Sequence, residues 1–206
     1  MDEKFGQILL QANQLFMRCG IKSVTMDDIA RELKVSKKTL YKYVKDKSDI
    51  VKQAITMHCS CEQEITNALL NEAENAIDEL ISITKHVSQH LQQIHPSIHF
   101  DLEKYYPEAW QAFMNHKEGH IKECISGNIE RGIKQGLYRN NLNAEIIAKL
   151  YISKIDVVFD PAVFPISKFR FSKVHEELMR YHIRGIASPK GIKYLEDKVK
   201  KENLKL

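Results

Sequence analysis

Six lysines, Lys34, Lys37, Lys38, Lys42, Lys45 and Lys47, fall within residues 34–47, opposed there by one acid, Asp46. Ammonium groups at that density suit one kind of chemistry, the neutralisation of a polyanion with release of its counterions. The chain carries +4 in all, so this segment at +5 holds the whole basic excess and the remainder nets −1. A solvated lysine face is the plainer reading of such a run. The choice between the two rests on the shape of the backbone that presents it.

Other groups invite other chemistry. There are nine histidines, and His86/His90 and His116/His120 have the i,i+4 spacing with which a helix shares a metal between two side chains. At about 100° per residue both pairs fall off the apolar stripe, and no acidic or cysteine partner is specified nearby. His58-Cys59-x-Cys61 places its two thiols about 200° apart on a helix, too far round to share one ion. Nothing nearby lowers a thiol pKa for redox work. The chain lacks a Gly-rich phosphate loop, a nucleophile elbow and a His-Glu-x-x-His helix. No catalytic residues, metal or cofactor are therefore expected, and the chain reads as a non-enzyme.

The elements that must position the lysines are helical. Only 8 glycines and 5 prolines punctuate 206 residues, and 43% of residues are hydrophobic. That balance favours an all-α fold with a real core. Ile8, Leu9, Ala12, Leu15, Phe16 and Cys19 recur at helical spacing, and Gly20 follows where a left-handed cap belongs. Thr25 is an N-cap with Asp28 as its partner, and Ile29, Ala30 and Leu33 form the inner face of a short second helix. After a break at Lys34-Val35, Ser36 caps a third helix over Lys37 to about Val44. Asp46-Lys47-Ser48-Asp49 opens a fourth. Two short helices joined by a tight turn, with a helix on either side, make a helix-turn-helix arrangement. Lys37 and Lys38 then sit in a first turn, where cations oppose the helix dipole by about 0.3–1 kcal/mol each. Phosphates would compensate for that.

Ile8-x3-Ala12-x2-Leu15-Phe16-x3-Gly20, Thr25-x3-Ile29-Ala30 and Val35-Ser36-x2-Thr39-Leu40-Tyr41-x-Tyr43-Val44-x2-Lys47 together resemble the tetracycline-repressor (TetR) family over about residues 4–55. The resemblance implies a DNA-binding domain at 1–55 and a helical ligand-binding and dimerisation domain at 56–206. It implies that Thr25 contacts a phosphate and that Ser36, Lys37, Lys38, Thr39, Lys42 and Tyr43 face DNA. Tyr41 would place its hydroxyl on a phosphate, and Lys47 would clamp another. Two positions depart from the family. Lys34 stands where glycine is usual, at about 1 kcal/mol if its φ is positive. Lys38 stands where Gly, Ala or Pro is frequent, which adds a charge to the DNA face.

Beyond the head, helices are expected from Ser48 to about Leu70, Glu74 to Ile94, Phe100 to Tyr106 and Pro107 to Gln135. Two more follow, Ala144 to Phe159 and Ser172 to Ile186, and a charged tail after Lys193 is expected to fray. Gly132-Ile133-x2-Gly136-Leu137-Tyr138-Arg139 and Arg184-Gly185-Ile186 resemble the family more loosely. By resemblance the helices at 144–159 and 172–186 pair with their symmetry mates. Candidates for the pocket lining are Phe100, Tyr105, Trp110, Phe113, Met114 and Phe159, around a moderately apolar molecule.

The implied function is a ligand-responsive regulator, a repressor in the first instance. It would bind a quasi-palindromic double-stranded operator as a homodimer and be released by an unidentified small-molecule effector. An activator or nucleoid factor without a ligand shares the same head, and a helical interaction protein shares the same shell. No run of about 18 apolar residues suggests a membrane span, and the N-terminus lacks a signal-peptide core. Cys19, Cys59, Cys61 and Cys124 form no disulfide framework. A cytoplasmic protein, nucleoid-associated when bound to DNA, is expected.

Overall fold

The computed structural model describes residues 3–202, which are helical throughout apart from turns and one isolated antiparallel bridge, Tyr138 to Ala187. The chain divides into two compact units, residues 1–64 with 93–117, and residues 65–92 with 118–206.

In the first unit, α1 (Glu3–Cys19), α2 (Met26–Glu32), α3 (Lys37–Leu40) and the start of α4 (Lys47–Glu72) surround one core. Phe16, Ile21, Ile29, Leu40, Ile50, Val51 and Ala54 are completely buried there. Gly20 ends α1 at φ 80° with its N–H on the Phe16 carbonyl. α6 (Ile98–Tyr105), α7 (Pro107–His116) and Tyr106 between them add Ile98, Leu102, Tyr106 and Ala109 to the same cluster. The expected division after residue 55 falls inside α4.

The second unit holds α5 (Ala76–Leu91), α8 (Lys122–Lys134), α9 (Ala144–Phe159), α10 (Phe171–Ile186) and α11 (Pro189–Glu202). α5 packs on α8 and α10, and α8 on α9. Asn75 caps α5 by accepting from Ile77 and Asp78, and Asn143 caps α9 by accepting from Ile146. The close turn after α8 depends on Gly132, because a Cβ there would stand 2.1 Å from the Tyr138 ring. That ring is buried, and its hydroxyl donates to the Ala76 carbonyl or Asn128 Oδ1, both 2.9 Å away.

Two expectations need correction. The helix expected without a break from Pro107 to Gln135 changes to a π-helical segment over Lys117–Ile121. The tail expected to fray is helix α11 as far as Glu202. Leu195 buries its side chain, and Lys198 reaches Asp78 at 3.1 Å. The charged residues of that tail hid an apolar face formed by Gly191, Leu195 and Val199. Residues 203–206 of that expectation lie outside the described residues.

Candidate nucleic-acid interface

The presentation of the lysines is fixed by caps that the local sequence specifies. Thr25 and Asp28 form a reciprocal box. The Asp28 N–H donates to Thr25 Oγ1 at 3.1 Å, and the Thr25 N–H donates to Asp28 Oδ2 at 2.9 Å. The Thr25 hydroxyl donates to the same carboxylate at 2.6 Å. These Thr25 bonds hold the Asp28 carboxyl below the usual carboxylate range. Ser36 Oγ accepts from the Thr39 N–H at 3.1 Å, and the two hydroxyls lie 2.9 Å apart. Asp46 and Asp49 repeat the pattern at α4, accepting from the Asp49 and Lys45 N–H groups.

The turn between α2 and α3 closes around Lys34 at φ 52°. The Val35 N–H donates to the Ala30 carbonyl and the Lys34 N–H to the Arg31 carbonyl. This is the paired closure that usually carries a left-handed glycine. The departure at Lys34 thus leaves the turn intact and places a lysine in the conformation glycine would have taken. α3 is shorter than the expected 37–44. After Leu40 the N–H groups of Lys42 and Tyr43 reach back three residues instead of four, which tightens the segment.

Lys37, Lys38, Tyr41 and Lys42 are exposed on this short helix and the turn after it, while Leu40 and Val44 are buried. Thr25 and Ser36 are exposed at their caps, and Thr39 is half-buried. The Tyr43 ring stacks on Phe5 at 5.8 Å and packs against the head core. Lys47 is half-buried. Its Nζ donates to the Lys22 carbonyl at 3.2 Å and lies 5.8 Å from the centre of the Tyr106 ring. Burial lowers its pKa, against the opposing pull of Asp101 and Asp28.

Some residues of this region were not singled out in the sequence. Asp27 is exposed beside Lys37, with Oδ2 2.7 Å from Nζ. Asp101 of α6 is buried and accepts from the Lys22 N–H at 2.9 Å and the Ser97 hydroxyl at 3.0 Å. The Lys22 ammonium donates to the Tyr105 hydroxyl at 3.0 Å. α6 is therefore bolted to the turn between α1 and α2. Asp101 resembles an ordinary first-turn acid in the sequence, and only its long-range partner distinguishes it.

The pocket candidates divide. Phe100 and Tyr105 are exposed edge-to-face neighbours. Trp110 and Phe113 lie 5.6 Å apart beside His99, and Met114 is half-buried on the same helix. These five belong to the first unit. Phe159 belongs to the second, where it packs on Phe171 at 5.0 Å.

Among the cysteines, Cys59 is buried, and burial pushes its thiol up to about 11. Cys124 Sγ lies 3.4 Å from His120 Nε2. Burial raises that thiol and lowers that imidazole.

The second unit settles which apolar residues of α9 and α10 are core. Tyr151, Val158 and Ile183 are buried, whereas Ile146, Leu150 and Tyr181 are 54%, 52% and 71% exposed. A groove between the two helices is lined by Leu150, Tyr151, Lys154, Tyr181 and His182. No helix among the described residues is long and apolar enough to cross a membrane.

Comparison with known proteins places this geometry. Residues 8–54 match the family described as bacterial regulatory proteins, tetR family. The HTH-type transcriptional regulator YvaF of Bacillus subtilis (strain 168) is 26% identical over 192 residues, covering 91% of this chain and 96% of its own. A transcriptional regulator from Saccharomonospora viridis, solved in complex with choline, superimposes with a TM-score of 0.74 at 19% identity, over 91% of this chain and 100% of that one. FadR from Bacillus subtilis, solved in complex with stearoyl-CoA, gives a TM-score of 0.67 at 20% identity, over 88% and 99%. At such identities the solved structures establish the fold.

Proposed function

We propose that the chain, whose residues 8–54 match the model of the tetR family of bacterial regulatory proteins, is a TetR-type regulator: a cytoplasmic repressor that binds a quasi-palindromic operator as a homodimer and is released by a small molecule. The observation that carries the reading is the exposed set Lys37, Lys38, Tyr41 and Lys42 on a capped helix-turn-helix. Two such heads would occupy successive major grooves with half-sites about 34 Å apart.

Support for the dimer comes from Ile146, Leu150 and Tyr181, large apolar side chains left uncovered on adjacent helices. Support for an effector comes from the relatives solved with choline and with stearoyl-CoA. Those two ligands differ so much in chemistry that neither is assigned to this chain, and the proposed lining keeps only the candidates of the first unit, Phe100, Tyr105, Trp110, Phe113 and Met114. The effector acts by binding the DNA-competent and DNA-incompetent states with different affinity. Within the first unit, the Asp101–Lys22 bond gives α6 a direct hold on the head.

The test is fluorescence anisotropy on the DNA upstream of the protein's own gene, near physiological salt with excess non-specific competitor. Competitor-resistant binding should fall about 10-fold or more in a Lys37→Ala/Lys42→Ala variant. Each lost phosphate contact should lower the salt slope by about 1. Binding that ignores both sequence and the double substitution would overturn the reading.

A further inference from the structure

Asp27 is misplaced for a surface that meets phosphates. It is exposed, it lies outside the basic run, and it stands 2.7 Å from the ammonium of Lys37, one of the DNA-facing lysines. Both partners keep about half or more of their side-chain surface in solvent, 48% for Lys37 and 61% for Asp27. An ion pair this exposed contributes little to folding. On a surface tuned only for affinity, it would cancel a useful charge. Asp27 does stand in the first turn of α2, where the helix dipole favours an acid, but Asp28 already meets that end of the helix, which leaves room for a second reason.

That reason lies in the major-groove edge of a base pair, with G·C as the example. Guanine O6 is an acceptor and the cytosine N4 amino group is a donor. Lysine reads the first and aspartate the second. O6 and N4 are themselves hydrogen-bonded across the base pair at about 2.9 Å, nearly the separation of Lys37 Nζ and Asp27 Oδ2. Set against that edge, Nζ donates to O6 and Oδ2 accepts from N4. The Watson–Crick bond and the Lys37–Asp27 bond close the ring. Cytosine N4 uses one proton inside the base pair and one towards Asp27. Lys37 has three protons for O6, the aspartate and a further acceptor. No group in the ring lacks a partner.

We propose that Asp27 and Lys37 act as one donor–acceptor unit that reads the orientation of a single base pair in each half-site, taking G·C or T·A over C·G and A·T, with Asp27 as a specificity-determining residue. The proposal rests on the operator-binding reading above and adds the orientation of one base pair to it. Asp27 excludes the reversed pairs by electrostatics. A thymine O4 or a guanine O6 in place of the amino group would set an acceptor against a carboxylate, whereas adenine N6 beside thymine O4 repeats the pattern of cytosine N4 beside guanine O6.

The test is selection from a pool of randomised double-stranded DNA by the full-length wild type, Asp27→Ala and Asp27→Asn. The wild type should enrich a half-site with G·C or T·A in one orientation at one fixed position, and reversing that pair should weaken binding about 5- to 150-fold. Asp27→Ala should lose this discrimination at that position and keep it elsewhere. Asp27→Asn, which preserves shape, should narrow the preference there to T·A. Its amide then pairs with adenine N6 and N7 while Lys37 donates to thymine O4.

If Asp27→Ala selects the same half-site as the wild type and only binds every duplex more tightly, Asp27 is an electrostatic counterweight and the proposal is overturned. If the wild type enriches no motif at all, the operator-binding reading itself fails. The two failures are therefore distinct.

Discussion

The head and the α9–α10 face solve opposite problems. In the head, Phe16, Ile21, Ile29, Leu40 and Ile50 are sealed inside, and the exposed surface of α3 and its following turn is lysine and tyrosine. On α9 and α10, Tyr151, Val158 and Ile183 are sealed, yet Ile146, Leu150 and Tyr181 stay in solvent. The head is complete as an apolar body and presents charge, which suits the proposed DNA partner. The helical face leaves large apolar side chains uncovered, which the proposed dimer would cover. The two regions teach that one chain can advertise two unrelated partners through what each region leaves uncovered.

The sharpest way to break this contrast is to charge the apolar face. Leu150→Asp with Tyr181→Asp should weaken self-association about 30-fold or more, read by analytical ultracentrifugation. Both side chains are half or more exposed, so the thermal midpoint of the isolated chain should barely move. Unchanged association would show that this face is not an interface.

Acid sharpens the comparison from inside the second unit. His175 and His182 lie on the buried side of α10, and burial holds both near 4. Unfolded imidazole titrates near 6.5. Between those values the folded protein binds fewer protons than the unfolded chain. The stability these residues keep above pH 6.5 is therefore lost as pH falls towards 4, by about 3 kcal/mol per histidine. Denaturant midpoints at pH 7 and pH 4.5 check this. His175→Gln should remove a large part of the difference.

The smallest effect belongs to the head. Lys34→Gly relieves a left-handed lysine at a turn whose closure is already intact. The gain is about 0.5–1 kcal/mol after the greater freedom of glycine in the unfolded chain is discounted. Urea denaturation should show the gain, and anisotropy should show a slight loss of DNA affinity from the missing charge. A loss of stability instead would mean that the Lys34 side chain contributes more than its backbone strain removes.

What the sequence disclosed and what it hid follow a physical line. Thr25 with Asp28, Ser36 with Thr39, and Asn143 at α9 are bonds between residues two to four apart, so the helix starts were legible. The bounds of α9 match the expectation at both ends. The turn at Lys34 was legible for the same reason. The π-helical segment at Lys117–Ile121 was not, because no local residue pattern demands an extra residue in that turn. The joining of Ile98, Leu102 and Ala109 to the head core depends on packing across many tens of residues, which periodicity does not carry. At the interface, the lysines stood out by density. Asp27 went unnoticed because its meaning comes from an atom ten positions along the chain.

The bond between Asp101 and the Lys22 amide has a use of its own. An N–H that donates to a buried carboxylate resonates well downfield of its neighbours and exchanges slowly with solvent. Labelling Lys22 with nitrogen-15 would therefore turn one proton into a gauge of whether α6 grips the turn. Its chemical shift and exchange rate, followed as DNA or a candidate effector is titrated in, would report a change at that bolt before any change in transcription is measured.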